Sequence, residues 1–272
     1  MKRLIPFLVC VLFCCRLSAA DNYLIGARAA GLGNAAVTIG DVWSSSHNQA
    51  GLAMLEHPSG GIFFENRFMI SELGIKGFVF ALPVKNSGVI AVNATQFGYS
   101  KYNEKKAGLA FARKLGNKIS VGLQLDYLST FIGDDYGTRN TLAVEGGILA
   151  EPIKNLRIGV HLFNPTRSKL AEYADERVPA LFRAGAGYSF SDKVMLCAEV
   201  EKDIDFSASF RSGIEYHPVE QIYLRGGIAT HPLQSSFGFG LKLKNFRIDA
   251  ATSYHQVLGY TPQFGLTYDF KK

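Results

Sequence analysis

The chain has 272 residues, of which 47% are hydrophobic and 19% are charged, and its formal net charge is +6. This charge by itself does not indicate a nucleic-acid-binding protein, which would need a clustered basic face. The length is sufficient for one large barrel or two modest domains.

Residues 1–20 have the pattern of a cleaved export signal. Lys2 and Arg3 precede an apolar run from Leu4 to Cys15, and small residues lead up to Ala20, where we expect cleavage. The run is too short for a membrane-spanning helix. Cleavage removes three of the 29 basic residues and leaves 26 against 23 acids, a net charge of +3. Cys197 then remains alone, which excludes an intramolecular disulfide and a cysteine-based metal site.

Residues 21–59 are rich in glycine, alanine and serine, whose small side chains allow a backbone to pack closely against its surroundings. We predict that this segment forms a plug, or hatch, inside a barrel. The plug residues that we single out are Gly26, Gly31, Gly33, Asp41, Asn48, Gly51 and Leu52.

Residues 60–272 alternate between apolar and polar side chains, with the period of two that a pleated strand imposes. In Ile119–Tyr127 the odd positions are apolar, whereas the even positions are Ser120, Gly122, Gln124 and Asp126. No later stretch has the roughly 18 apolar residues of a membrane helix, so a membrane protein of this sequence must cross with strands. The predicted fold class is therefore all-β: a transmembrane antiparallel β-barrel of about 14 strands with a small irregular or helical plug in its lumen.

Short and long connections are predicted to alternate, as in outer-membrane barrels with periplasmic turns and extracellular loops. The short turns include Lys85–Ser87, Gly116–Lys118 and Lys244–Asn245, and the longer connections are Tyr99–Lys105, Ile132–Arg139, Asn164–Pro179, Asp203–Ser209 and His255–Thr261. Outward-facing aromatic residues are predicted to form two girdles at the membrane interfaces. These are Phe190, Tyr216, Phe246 and Phe270 at the short turns, and Phe97, Tyr127, Phe210 and Tyr254 at the long loops. We therefore expect an integral protein of the bacterial outer membrane.

The amino-terminal plug also carries a family resemblance. Gly26–Ala35, Gly40-Asp41 and Asn48–Leu52 together resemble the amino-terminal signature of the FadL and PorV/PorQ superfamily of outer-membrane barrels, although Gln49 stands where that signature has proline. Three later segments resemble the PorV/PorQ branch: Leu156–Pro165, Val178–Tyr188 and Tyr223–Gly227. The resemblance implies 14 strands around an amino-terminal hatch.

The resemblance implies one of two activities. The PorV/PorQ branch serves type IX secretion, so the chain is predicted to be a non-catalytic component of protein secretion or surface assembly. Its partners would be secretion-machinery or cargo proteins. The alternative is a FadL-like channel that takes up a hydrophobic ligand. Either role adds outer-membrane lipid as a partner, and neither calls for a cofactor or nucleic acid.

Two features of the lumen are candidate sites. An apolar pocket is predicted from Phe63, Phe78, Phe80, Ile90 and Val92, with packing against the plug as the alternative. Phe63 faces the lumen if Glu65 does, and Phe78 and Phe80 do so if the charged Lys76 does. Ile90 and Val92 face the same way on the next strand. The charged luminal residues are predicted to form a rigid ion-pair network, with a conduction path as the alternative. They are Asp126, Glu145, Arg157, Arg183, Glu199, Arg211, Glu215, Arg225, Lys242, Arg247, Asp249 and Asp269.

The longest loop, Asn164–Pro179, is either a solvated helical turn or a docking lid for a partner. The residues that would contact such a partner are Arg167, Leu170, Tyr173 and Arg177. Catalysis is not expected, because no nucleophile-elbow motif is present. The candidates Asp249, Ser253 and His255 share one face of a single strand, and His161 is a further candidate base. Sharing a face does not place the carboxylate, hydroxyl and imidazole in mutual hydrogen-bond reach. Asp134-Asp135 alone is weak support for a cation site.

Overall fold

The computed structural model of the chain describes residues 22–133, 137–169 and 177–271. The predicted signal peptide, residues 1–20, lies outside these ranges. Within them, no helix is both long and apolar enough to span a membrane. The strands are β1 Ser59–Asn66, β2 Gly74–Val84, β3 Gly88–Gly98, β4 Tyr102–Leu115, β5 Ile119–Ile132, β6 Gly137–Ile153, β7 Leu156–Phe163, β8 Leu181–Ser191, β9 Val194–Asp203, β10 Ser209–Val219, β11 Ile222–Thr230, β12 Leu233–Leu243, β13 Phe246–His255 and β14 Gly259–Asp269.

The 14 strands form one closed antiparallel barrel, which confirms the predicted fold class. Each strand pairs with its neighbours in the sequence, and β1 pairs with both β2 and β14, so that no edge strand is left unpaired. Strand β5 illustrates how apolar side chains face outward and polar side chains face the lumen. Leu123 and Leu125 are 67% and 51% exposed on the outer surface, whereas Gln124 and Asp126 are 2% and 0% exposed inside.

The connections at one end of the barrel are shorter than predicted. We call this end, which carries the β7–β8 connection, the long-loop end, and the opposite one the short-turn end. The β3–β4 connection is residues 99–101 rather than Tyr99–Lys105, because Tyr102–Lys105 pairs with β5. Strands β11 and β12 are joined only by His231 and Pro232. The predicted strict alternation of short and long connections is therefore wrong. The strands continue to pair beyond the apolar band, where the side chains no longer alternate in polarity and the sequence does not show where a strand ends.

The predicted inward orientation is wrong for four residues of the apolar lumen pocket. Phe78, Phe80, Ile90 and Val92 lie on the outer face, and three of them, Phe78, Ile90 and Val92, are 47%, 43% and 43% exposed. The error arose from Lys76, which was expected to enter the lumen because it is charged. Lys76 instead pairs with Phe64, an outward residue of β1.

Two aromatic residues point inward and contact the plug. Phe63 keeps its predicted orientation, is buried, and packs against Trp43 with 6.1 Å between ring centroids. The packing interpretation therefore holds for this residue. Phe97 was assigned to an outer girdle, but it is buried and packs against Tyr23 at 4.9 Å, so that assignment is wrong.

The plug is a compact series of short turns inside the barrel. It contains one helix, α1, at Ala27–Gly31, followed by two 3-10 segments at Val42–Ser46 and Gln49–Met54. The Asp41 side chain caps the first 3-10 segment by accepting a hydrogen bond of 2.9 Å from the Trp43 N–H. Two further 3-10 turns, Arg67–Met69 and Ser71–Leu73, lie in the β1–β2 connection.

Glycines on the inner wall let the plug backbone approach the barrel backbone. A Cβ at Gly227 would lie 2.2 Å from the Gly33 nitrogen, and one at Gly213, its partner across β10 and β11, would lie 2.5 Å from the Leu32 carbonyl oxygen. On the opposite wall, a Cβ at Gly122 would lie 2.4 Å from the Gln49 carbonyl carbon. No side chain larger than hydrogen fits at these points, so the wall is shaped to this plug.

We predict that Gly227→Ala displaces the plug and lowers the free energy of unfolding by about 1 to 3 kcal/mol, the usual range for overpacking. The measurement is the urea midpoint of the protein in detergent micelles, together with protease cleavage within residues 22–58. Gly226→Ala is the matched control, because a Cβ there faces outward with its nearest atom, Ile214 Cγ2, at 3.8 Å. Equal midpoints for the two variants would contradict the tight packing.

Candidate functional site: the plugged lumen

The plug divides the lumen into two cavities that share no lining residue. The upper cavity, at the long-loop end, has a volume of about 880 Å³ and contacts the plug at Leu24 and Asn34. The lower cavity, at the short-turn end, has a volume of about 200 Å³ and contacts the plug at Asp41 and Trp43. The upper cavity is the candidate ligand site, because its volume lies in the range of about 300–1,000 Å³ that is usual for small-molecule pockets.

The upper cavity combines apolar and charged walls. Its apolar residues come from the plug, the connections and the strand ends: Leu24, Phe68, Pro179, Leu181, Phe206 and Pro232. Its charged residues are Glu65, Arg67, Arg183, Glu201, Asp203 and Arg211. Arg67 is held by Glu65 at 2.7 Å and stacks over the Tyr23 ring at 4.7 Å, so the charges at this wall are neutralised in place. Such a cavity suits a molecule with an apolar body.

An ion-pair cluster around Arg28 joins the plug to the barrel. Arg28 Nη2 and Nε contact the two carboxylate oxygens of Glu215 at 2.6 and 2.9 Å, a bidentate arrangement, while Nη1 contacts Asp41 at 3.2 Å. Arg225 contacts Glu215 and Asp249, each at 2.6 Å. One plug cation is thus shared between a plug carboxylate and a strand carboxylate.

Side chains of the wall and of the plug also form hydrogen bonds with backbone groups where the two meet. Glu199 Oε2 accepts hydrogen bonds of 2.8 Å from the N–H groups of both Ala36 and Val37. Asn48 Nδ2 donates to the carbonyl oxygens of Val37 at 2.8 Å and of Ile148, on β6, at 3.2 Å. These contacts satisfy backbone groups of an irregular segment that has few hydrogen-bond partners within itself.

A second buried network crosses strands β4 to β8. Glu145 is its centre: Lys106 Nζ lies 2.6 Å from Oε1, and His161 Nε2 lies 2.9 Å from Oε2. Gln124 Nε2 donates to both Glu145 and Asp126, at 2.7 and 2.8 Å. Eight of the charged residues predicted to line the lumen are therefore buried and form ion pairs between strands, as the network interpretation predicted. They are Asp126, Glu145, Arg183, Glu199, Arg211, Glu215, Arg225 and Asp249.

The remaining charges of that predicted network lie near the short-turn end. Lys242, Arg247 and Asp269 line the lower cavity, and Arg157 pairs with Glu151 at 2.6 Å in a half-exposed ion pair.

The seven plug residues predicted from sequence all lie inside the barrel. Gly26 and Gly33 have positive φ values of 121° and 65°, which explains the requirement for glycine. A Cβ at Gly31 would lie 3.0 Å from the Gly238 Cα, and one at Gly51 would lie 2.5 Å from the Ile39 carbonyl oxygen. Asp41 and Asn48 make the cap and the backbone contacts described above, and Leu52 is fully buried.

The predicted partner loop is described only in part. Leu170 and Tyr173 lie outside the described residues, as do Asp134 and Asp135. Arg167 lies 3.7 Å from Asp205 in an exposed ion pair, and the Arg177 guanidinium donates to the Arg167 carbonyl oxygen at 3.4 Å. These contacts close the base of the loop.

The structure does not bring the candidate catalytic residues together. Asp249 is held by Arg225 and His161 by Glu145. His255 Nδ1 accepts hydrogen bonds from the N–H groups of Val257 and Leu258. Among the described residues no group of three or more His, Cys, Asp or Glu side chains is arranged to hold a metal.

Two charged residues of the lumen, Lys106 and Arg28, are not predicted from the sequence. Lys106 follows Lys105, and two adjacent lysines do not show which faces inward. The alternation along β4 gives the answer, because Lys106 shares a face with Gly108 and Ala110, where the wall is lined with small residues. Arg28 lies within the glycine-rich motif, and its pairing with Glu215 joins residues 187 positions apart, which no local pattern reports.

The comparisons with known proteins show the fold. No family model and no curated protein matches the sequence. Among solved structures, the CymD monoaromatic hydrocarbon channel matches with a TM-score of 0.69 at 12% identity, over 93% of this chain and 100% of that chain. The toluene transporter TodX of P. putida gives 0.69 at 11% identity with the same coverage. A FadL homologue of Pseudomonas aeruginosa gives 0.63 at 12% identity, over 89% of this chain and 98% of that one.

We predict that Glu215→Ala lowers the free energy of unfolding by about 3 kcal/mol, because it removes a carboxylate shared by two buried guanidinium groups. Glu151→Ala is the control: it breaks the half-exposed pair with Arg157 and should change that free energy by at most about 1 kcal/mol. Urea unfolding in detergent micelles compares the two variants. Equal losses would show that the Arg28 cluster does not hold the plug.

Proposed function

We propose that this protein is an outer-membrane channel for the uptake of small hydrophobic molecules, of the FadL type. The observation that carries the proposal is the upper cavity of about 880 Å³, enclosed by a 14-stranded barrel and floored by the plug. The shared fold with proteins described as hydrocarbon channels and a toluene transporter supports it. In the proposed orientation the long-loop end faces the exterior.

The barrier between the two cavities is short beside α1. Along β13, Asp249 lines the lower cavity, Ala251 is buried beside the plug, and Ser253 lines the upper cavity. These positions span four residues, roughly 14 Å at about 3.4 Å per residue. A solute in the upper cavity is therefore separated from the lower one by little more than the five-residue helix α1, Ala27–Gly31.

Passage requires this helix to move or partly unfold. The helix is one and a half turns long, which is too short to be stable by itself, so its position depends on contacts with the wall. Arg28 supplies the charged part of those contacts, and Ala27 and Ala30 supply an apolar part against Ala251. The proposed gate is therefore α1.

The secretion role predicted from the later strand motifs is the other candidate. The comparisons give it no support, and its predicted contact loop is described only in part because Leu170 and Tyr173 lie outside the described residues. The charged residues of the lumen are paired with one another rather than arranged as a cargo surface. Uptake is therefore the function that the observations favour, and the proposed role involves no catalysis.

A disulfide across the gate tests the proposal. Ala27 Cβ lies 3.5 Å from the position of a Cβ at Gly265, at the edge of the range of about 3.5–4.5 Å for disulfides. In cells carrying Ala27→Cys/Gly265→Cys, we expect uptake of radiolabelled toluene to fall to the empty-vector level when the pair is oxidised. Reduction should restore it.

The single variants Ala27→Cys and Gly265→Cys are the controls, because neither can form the cross-link and the native Cys197 is buried. If the double variant takes up toluene as fast with the disulfide formed as with it reduced, gating by α1 is contradicted. If cells with the wild-type protein take up neither toluene nor a long-chain fatty acid faster than cells with an empty vector, the proposed channel function is contradicted.

A further inference from the structure

The outer wall carries a row of polar side chains near the long-loop end. Lys76 on β2, Gln96 on β3 and Lys105 on β4 are direct register partners, so they project from the barrel side by side. Their outward direction follows from Phe64, the partner of Lys76 on β1, which is 44% exposed. Strands lie about 4.8 Å apart, which places the two lysine backbones roughly 10 Å from one another.

A hollow lies directly below this row, on the side of the short-turn end. Ala94 and Ala107 form its floor, and Phe78 and Tyr127 form its sides, because these four residues occupy the next outward positions of β2 to β5. Its volume is about 530 Å³. A second hollow of about 410 Å³ follows on β3 to β6. Its outward apolar lining is Ile90, Leu109, Phe111, Leu123, Leu125 and Val144. The two hollows are neighbours on the outer wall, because Leu109 and Leu125 are the next outward positions after Ala107 and Tyr127. We call them together the groove, which begins at the two lysines.

The lysine head groups are unpaired within the described parts of the chain. No ion pair or hydrogen bond to another described residue involves Lys76 or Lys105. Lys106, the neighbour of Lys105 in the sequence, is by contrast bound to Glu145 inside the lumen. A lysine on a lipid-facing wall extends its ammonium to the membrane interface, where it can contact the phosphate of a lipid head group.

We propose that this groove binds one anionic membrane lipid. Its phosphate lies between the ammonium groups of Lys76 and Lys105, within reach of the Gln96 amide, and an acyl chain occupies the hollow over Ala94 and Ala107. The two lysines at the upper end of the groove select a lipid whose head group is net negative over a zwitterionic lipid of the same phosphate chemistry. The proposal rests on the barrel being embedded in a bilayer, and it is independent of solute uptake.

The test measures lipid retention by the purified protein in detergent micelles, using native mass spectrometry with added phosphatidylglycerol or phosphatidylcholine. Each lysine near an anionic group contributes about fivefold to affinity. Lys76→Gln/Lys105→Gln should therefore weaken phosphatidylglycerol binding about thirtyfold and leave phosphatidylcholine binding unchanged. The matched control is Lys85→Gln/Lys114→Gln, which removes the same charge from exposed lysines at the short-turn end.

Ala107→Phe tests the acyl part of the site without changing charge, and an added apolar ring on this face is compatible with folding. We expect it to weaken phosphatidylglycerol binding by at least about threefold, because the ring fills the hollow. Wild-type affinity in either Lys76→Gln/Lys105→Gln or Ala107→Phe would overturn the proposal. So would an equal loss in the Lys85→Gln/Lys114→Gln control.

Discussion

The contact between plug backbone and barrel backbone is the constraint on which this structure depends. At Gly122, Gly213 and Gly227 the two chains approach so closely that a single methyl group would collide with the plug. This packing needs glycine on the wall and an irregular, small-residue segment inside. The plug therefore fits the wall closely, and under the proposed function a solute passes only if α1 is displaced.

Charge reinforces the packing because buried ions must be paired. The Arg28 cluster joins α1 of the plug to strands β10, β11 and β13. The Glu145 network joins β4 to β8 and contacts the start of the plug, where Lys106 donates to Asn22 at 3.2 Å. The first network changes if α1 moves, whereas the second mainly joins strands of the barrel wall. A rigid wall and the proposed gate, held by the shared Arg28 cation, are compatible within one lumen because the two networks have separate centres.

The inner and outer faces of the same strands have different tasks. On β4, Lys106 completes a buried ion-pair network, whereas Lys105 lies on the outer wall above an apolar groove. Strand alternation makes this division possible, because consecutive residues point to opposite sides. The proposed transport site and the proposed lipid site therefore share no residue, and the groove lies on β2 to β6 whereas the upper cavity is lined by other strands and the plug.

The sequence by itself determined the barrel, the approximate strand number and the plug, because a period of two and a run of small residues are local patterns. It also placed Phe63 and most of the paired charges. It misplaced Phe78, Phe80, Ile90 and Val92. The inner faces of β2 and β3 were assigned on the assumption that Lys76 points into the lumen, whereas Lys76 points outward. Only the tertiary structure decided which glycines contact the plug and which carboxylate holds Arg28. Those facts depend on register between strands far apart in the chain, which no local periodicity encodes.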